Sequence, residues 1–204
     1  MTGLPGTSEI IRFHDECVRA PWTPSRSGAG LVEALWSAIE QNHWHNSMLW
    51  EQEDLARRQR APDSEIAGNK RAIDKHNQQR NDAIERIDEV LLLCFKDVSS
   101  KPNARLSSET PGAMTDRLSI LALKIHAMRL QTQRADVDAA HIEACRAKLE
   151  KLTEQRSDLA GCLDRLLAEM QRGESFFKIY RQFKMYNDPS LNPAVYGEKR
   201  GEKR

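Results

Sequence analysis

Apolar residues recur along most of this chain at helical spacing, and polar residues interrupt them on the same faces. Between Asp63 and Phe95, Ile73, Ile84, Ile87 and Leu91 define one buried face. At ~100° per residue, Asn77, Arg80, Asn81 and Asp88 project within that face or at its margin. The preceding segment repeats the arrangement: a stripe of Val32, Leu35, Trp36 and Ile39 continues as His43, Asn46, Trp50, Glu53, Asp54 and Arg57. A buried polar group left unpaired costs about 1–3 kcal/mol. Polar residues aligned in this way must therefore pair internally or serve a ligand.

The same periodicity predicts a short helix over residues 8–19, burying Ile11, Val18 and His14. Long helices follow over 31–60 and 63–96, separated by the breaker Ala61-Pro62-Asp63. Thr110-Pro111 reads as an N-cap followed by proline at the first helical position and opens a helix to about residue 134. That helix is apolar on two sides, with Met114, Leu118, Leu121, Ile125 and Met128 on one and Ile120, Leu123, Ala127 and Leu130 on the other, so it belongs at the centre. Asp136 or Asp138 starts a fifth helix that Gly173 ends, and a short aromatic and basic helix is predicted over 174–185.

The fold class is all-α: an antiparallel bundle of four long helices joined by short connections, with short N- and C-terminal helices. Residues 1–186 form one domain. Residues 187–204, which carry Asn-Asp-Pro, Asn-Pro and a doubled Gly-Glu-Lys-Arg, form an extended, partly disordered tail.

Composition narrows the function. With 31 basic and 30 acidic residues the formal charge is +1, which argues against nucleic-acid binding through a basic surface. The longest apolar run, residues 90–95, is far short of the roughly twenty residues a bilayer requires. The N-terminus lacks the basic-then-apolar pattern of a secretory signal, so a cytoplasmic protein is expected. Cys17, Cys94, Cys145 and Cys162 are widely spaced and read as buried reduced thiols. No Gly-rich phosphate loop, H-E-x-x-H or G-x-S-x-G motif is present.

If helices two and three meet at a tight turn near Pro62, residues equidistant from it lie side by side. Asp54 then faces Lys70, Glu53 faces Arg71, and His43 and Asn46 come level with Asn77 and Asn81. The charged pairs suit salt bridges. The amide and histidine cluster suits either a self-satisfied network or a sugar or base edge. The same matching sets Glu85 opposite Lys124 and Asp88 opposite Ile120. Arg117 and Lys124 point the same way two turns apart, with Asp116 about a quarter-turn beyond; either Lys124 pairs with Glu85 or Asp88, or the cluster clamps a phosphate or carboxylate. In the last helix, Phe176, Tyr180 and Phe183 form a docking face, while Lys178, Arg181 and Lys184 lie on another side, available to phosphate or an acidic partner surface.

The pairs Glu51-x-x-Asp54 and Glu85-x-x-Asp88 resemble the magnesium motifs of all-helical nucleoside triphosphate pyrophosphatases. At ~1.5 Å per residue the two pairs stand roughly 20 Å apart, too far to share an ion. His43 and His45, at i and i+2 on a helix, point apart and make no zinc pair. No metal site and no cofactor are predicted.

A wider likeness rests on several runs: LWEQEDLAR at 49–57, NKRAID at 69–74, NQQRND at 77–82, SETPG at 108–112, DRLSIL at 116–121 and YRQFKMYNDP at 180–189. Together they resemble a bacterial domain-of-unknown-function family, number 4254, over roughly residues 30–196. The resemblance implies an all-helical cytosolic protein, often encoded near glycosyltransferases for surface polysaccharide or lipopolysaccharide. It implies no catalytic residues. The leading expectation is a non-catalytic accessory protein of envelope-glycan synthesis, binding a glycosyltransferase or a nucleotide-sugar through the polar seam. One alternative is an enzyme acting on nucleotide-sugars or nucleoside phosphates, with Glu85 or Asp88 as acid/base or magnesium ligand and Arg117 and Lys124 on phosphate. The other is a seam that only fixes helix register.

Overall fold

The computed structural model describes residues 3–181, 188, 190–194 and 197. Within them the chain is all-α apart from one pair of two-residue strands. The helices are α1 (Thr7–Cys17), α2 (Leu31–Ala56), α3 (Asp63–Cys94), α4 (Pro111–Thr132) and α5 (Ala139–Gln171). None of the described helices is long and apolar enough to cross a membrane.

The boundaries follow local chemistry. The Thr110 side chain accepts from the Ala113 amide at 3.2 Å ahead of Pro111, and the Asp138 carboxylate accepts from the His141 amide at 2.7 Å. α5 ends where Gly173 adopts φ +68°, and a Cβ there would lie 2.3 Å from the Ser99 carbonyl oxygen. α2 and α3 run in opposite directions, as His45–His76 and Arg58–Glu65 contacts at 3.1 and 2.8 Å require.

α4 packs against all four other helices. Its buried Met114, Leu118 and Leu121 meet Leu35 and Ile39 of α2, Ile87 and Val90 of α3, and Leu159 and Leu163 of α5 in one apolar cluster, and Ile125 is buried further along the helix. Full burial of each such side chain contributes about 1.5–3 kcal/mol. α1 is fixed to α5 by Arg156–Asp15 at 2.6 Å and by a Thr7–Asp164 hydrogen bond. It buries Thr7, Ile10 and His14, with Ile11 only half-buried.

The C-terminal helix expected from residue 174 is not formed over the described residues to 181. Instead β2 (Ser175–Phe176) pairs in parallel with β1 (Arg105–Leu106), in a segment read as loop. Gly173 turns the chain out of α5, and the Lys101, Arg105 and Ser107 amides then bond the carbonyls of Gly173, Glu174 and Phe176 at 2.8 Å each. Backbone partners from the 97–109 segment, with an aromatic run suited to extended structure, outcompete one more helical turn. Phe177, not Phe176, is the buried aromatic, and Tyr180 is 73% exposed. Phe183 and Lys184 lie outside the described residues. In the tail, Asp188 caps a turn by accepting from the Ser190 amide at 2.8 Å. The four cysteines are free; Cys145 is buried, Cys17 and Cys94 are half-buried, and Cys162 is exposed, contrary to the expectation that all are buried.

Candidate functional site

α2 places Asn42, His43 and Asn46 within one turn, and α4 places Asp116 and Ser119 three residues apart, both sets facing the interior. The Asn42 and Asn46 amides donate to Asp116 Oδ1 at 2.8 and 2.9 Å. The Asn46 amide also reaches Ser119 Oγ at 3.0 Å, and His43 Nδ1 lies 2.7 Å from that oxygen. Arg80 Nε stands 3.9 Å from Asp116, at ion-pairing range, with no hydrogen bond of its own. All five residues on α2 and α4 are buried, so this centre is a closed hydrogen-bonded network rather than an open cavity, with the Asp116 carboxylate satisfied inside it. His43, Asn46 and Asp116, expected as ligand contacts, are bonded to one another's partners instead.

Beyond His43 the seam becomes aromatic. The His43 ring stacks on His14 and Trp22 with centroids 4.5 and 5.6 Å away, and Phe13 meets it edge-on. Both ring nitrogens of His14 and the Nε2 of His43 are buried without hydrogen-bond partners. Burial holds His43 at about pKa 4, and burial with the neighbouring His43 and Arg156 holds His14 well below the ordinary histidine range. Above this stack a loop is strapped down by buried Glu40, which accepts from the Ser25 and Arg26 amides at 2.9 Å each and pairs with the Arg26 guanidinium at 3.1 Å. Arg26 in turn lies over the Trp36 ring at 4.2 Å.

Around the closed centre the remaining candidates distribute into three clefts. The first, of about 370 Å³, is lined by Asn46, Trp50, Asp54, Arg57, Asn77 and Arg80, with Ile120 and Leu123 on the α4 side. Here the levels matched across the Pro62 turn hold, since Asn46 and Asn77 share the wall. The facing charges do not bridge as expected for Glu53–Arg71: Glu53 pairs with Arg57 at 2.8 Å and Lys70 with Asp74 at 2.9 Å, each along its own helix.

The second cleft, of about 290 Å³, holds Asn81, Glu85 and Asp88 with Thr110, Lys178 and Tyr180. Asp88 accepts from the Gly112 amide at 2.7 Å. Burial raises its pKa to about 6, against the opposing pull of the Thr110 and Gly112 hydrogen bonds. Arg181 crosses from the C-terminal segment to Glu85 and Glu89 at 2.8 Å each.

The third cleft, of about 580 Å³, has Arg117 and Lys124 on its wall with Glu109, Gln155 and Asp158. Arg117 pairs with Glu109, not with Glu85 or Asp88. Lys124 is exposed and turns toward α5. The expected Lys124–Glu85 and Lys124–Asp88 pairs are therefore absent, for two reasons. Asp88 sits at the level of Gly112, eight residues before Ile120, because α4 begins beside α3 and not beyond its end. Level also fixes height along a helix but not direction around it.

Asn42, Ser119, Glu40, His14 and His76 were not singled out as site residues. Ser119 had a visible signal, as the one polar residue within Leu118-Ser119-Ile120-Leu121. His45 and His76 bring their Nδ1 atoms to 3.1 Å across α2 and α3. Among the described residues no group of three or more His, Cys, Asp or Glu side chains is placed to hold a metal ion. Asp54 lies in the first cleft and Glu85 and Asp88 in the second, so the two acidic motifs do not converge.

No curated protein and no solved structure matches the chain. The family model described as Protein of unknown function (DUF4254) matches residues 36–179, and the chain belongs to that family.

Proposed function

We propose that this protein is a non-catalytic binding protein of bacterial envelope-glycan synthesis, taking a nucleotide-sugar or sugar phosphate in the cleft at Asn46, Asn77 and Arg80. The reading takes the four long helices as an antiparallel bundle whose network at Asp116 holds α2 and α4 in register beside that cleft. The glycan setting rests on the family resemblance, and a glycosyltransferase is the expected protein partner.

One observation carries the binding reading: Arg80 is half-buried, its Nε has no hydrogen bond, and the same cleft presents a second guanidinium, the Asn77 amide and an indole. Guanidinium groups bind phosphate oxygens through charge-assisted hydrogen bonds. The Asn77 amide supplies a donor and an acceptor for sugar hydroxyls, Asp54 adds an acceptor, and Trp50 offers an apolar face to a sugar or base. Because the Asp116 network is already satisfied, ligand enters beside it.

A second reading draws on Asp88. A carboxyl raised to about 6 in an open cleft with Lys178 suits acid/base work on a phosphorylated or nucleotide-activated sugar, with magnesium under that reading alone.

Thermal shift against nucleotide-sugars, nucleoside di- and triphosphates and sugar phosphates, with and without magnesium, separates them. A ligand at one hundred times its Kd adds about 2.7 kcal/mol, several degrees for a chain of this size. A magnesium-independent shift lost in Arg80→Gln and kept in Asp88→Asn supports binding in the first cleft. Turnover abolished by Asp88→Asn in a folded protein supports the enzyme. No shift with any of these ligands removes both and leaves the seam a structural element.

A further inference from the structure

A groove of about 640 Å³ runs between α4 and α5, and Trp50 lines both it and the polar cleft. Its floor is apolar: Trp50 from α2, Ala127 and Met128 from α4, and Ala147 and Leu152 from α5. Its polar lining is three lysines, Lys124, Lys148 and Lys151, with Gln131 and Gln155, and no carboxylate. All three lysines are exposed, and among the described residues only Lys151 has an ion pair, to Glu154 on its own helix at 2.6 Å.

We infer that this groove binds a single-chain anionic amphiphile, its alkyl or isoprenyl tail along Ala127, Met128, Ala147 and Leu152 and its phosphate or carboxylate head at Lys124 and Lys148.

Charge and size select this occupant. Lysine side chains lay their methylene stems along apolar surface and keep the ammonium in water, so the rim supplies both tail contact and head-group charge. The lining spans 124–131 on α4 and 147–155 on α5, roughly 11 Å of helix at ~1.5 Å per residue. A partner helix is itself about 10 Å wide, and two turns of it would bury far less than the roughly 800 Å² per partner of a specific protein interface. The volume falls instead within the range of small-molecule pockets, roughly 300–1,000 Å³. A neutral tail would leave Lys124 and Lys148 at the edge of a desolvated floor uncompensated, whereas an anionic head neutralises them. The inference does not depend on the polar cleft: Trp50 is a common wall, but no arginine or asparagine of the cleft lines the groove.

The test is calorimetric titration of the full chain with decyl phosphate below its aggregation concentration, beside decyl maltoside and inorganic phosphate. One saturating site for decyl phosphate is expected, weakening as salt rises, with neither control binding comparably. The exposed pair Lys124→Gln and Lys148→Gln should weaken it roughly tenfold, as two partly screened charge contacts would. Met128→Glu, which puts a carboxylate in the floor, should abolish it while leaving the thermal midpoint close to wild type. No binding overturns the proposal, and so does equal affinity for decyl maltoside or binding that survives Met128→Glu. A concentration-dependent dimer dissolved by Met128→Glu also overturns it, by making the groove a contact with a second copy. Arg80→Gln, which tests the polar cleft, should leave decyl phosphate binding unchanged, so either reading can fail alone.

Discussion

The side-chain amide of Asn46 on α2 donates to the Asp116 carboxylate on α4 at 2.9 Å, and the same nitrogen lies 3.0 Å from Ser119 Oγ. One amide thus ties two helices across seventy residues of sequence. Asp116 is 8% exposed and the cation paired with it, Arg80, stands at 3.9 Å, so the carboxylate relies on the two asparagines. Asn46→Ala should cost about 1–3 kcal/mol by stripping a buried acceptor of its donor. Asp116→Ala should cost more, since Asn42, Asn46 and Arg80 all lose a partner. Denaturant unfolding of both singles and the double should return a coupling of about 0.5–3 kcal/mol. A coupling near zero would mean the network bears no weight in stability.

The stacked histidines set a pH dependence. His43 sits at about 4 and His14 well below its ordinary 6.5, both chiefly through burial. A folded-state pKa below the unfolded one means the unfolded chain binds more protons between them. Stability is therefore full above about 6.5 and falls as pH drops toward 4, by on the order of 3 kcal/mol for His43 alone. His14→Phe keeps a ring in the stack and removes two unpartnered nitrogens, so it should be more stable than wild type at pH 5 and flatten the pH profile. Unchanged profiles by thermal melting would refute this account.

Asp88 works in the opposite sense. Its folded pKa of about 6 lies above the ordinary 3.8, so the folded state holds the proton more tightly. Its contribution is greatest below about 4 and is lost as pH rises through 6, on the order of 3 kcal/mol. Asp88→Asn retains an oxygen to accept from the Gly112 amide and carries no charge. Its stability relative to wild type should rise from pH 4 to pH 8, and parallel melting curves across that range would contradict the assignment.

Gly112 marks a close approach of α4 to α3. A Cβ there would fall 2.5 Å from the Ile84 carbonyl oxygen and within 2.8 Å of Asp88 Oδ1, and backbone cannot rotate away as a side chain can. Gly112→Ala should cost about 1–3 kcal/mol through displacement of the helix start. It should also weaken the Asp88 hydrogen bond, so the pH dependence assigned to Asp88 should shift in the same variant. Full stability in chemical unfolding would show that the α3–α4 contact is looser than this.

The helices were legible because their signals are local. Thr110-Pro111, Asp138 and Gly173 fixed ends by capping chemistry within a few residues, and the 3.6-residue apolar period located the core faces of α2, α3 and α4. The turn at Pro62 also allowed Asn46 and Asn77 to be set on one wall, since a short connection leaves little freedom of register. The 97–109 connection offered no such constraint. It pairs with 175–176 through backbone groups that carry no sequence signature, and this removed the expected last helix and displaced Asp88 by two turns along α4.

Sequence by itself determined that this chain is helical, where its apolar stripes lie, and that polar residues intrude on them, because each follows from neighbours one to four positions apart. Whether an intruding residue is satisfied or available depended on direction around the helix axis and on partners seventy residues away. Only the tertiary structure decided that Asp116, Asn46 and His43 close on one another, that Lys124 turns outward to a second groove, and that Arg80 is left at the edge of a cleft. Free energies of burial and hydrogen bonding act at contact distance, and for these side chains the contacts are made by the packing of α2, α3 and α5 around α4.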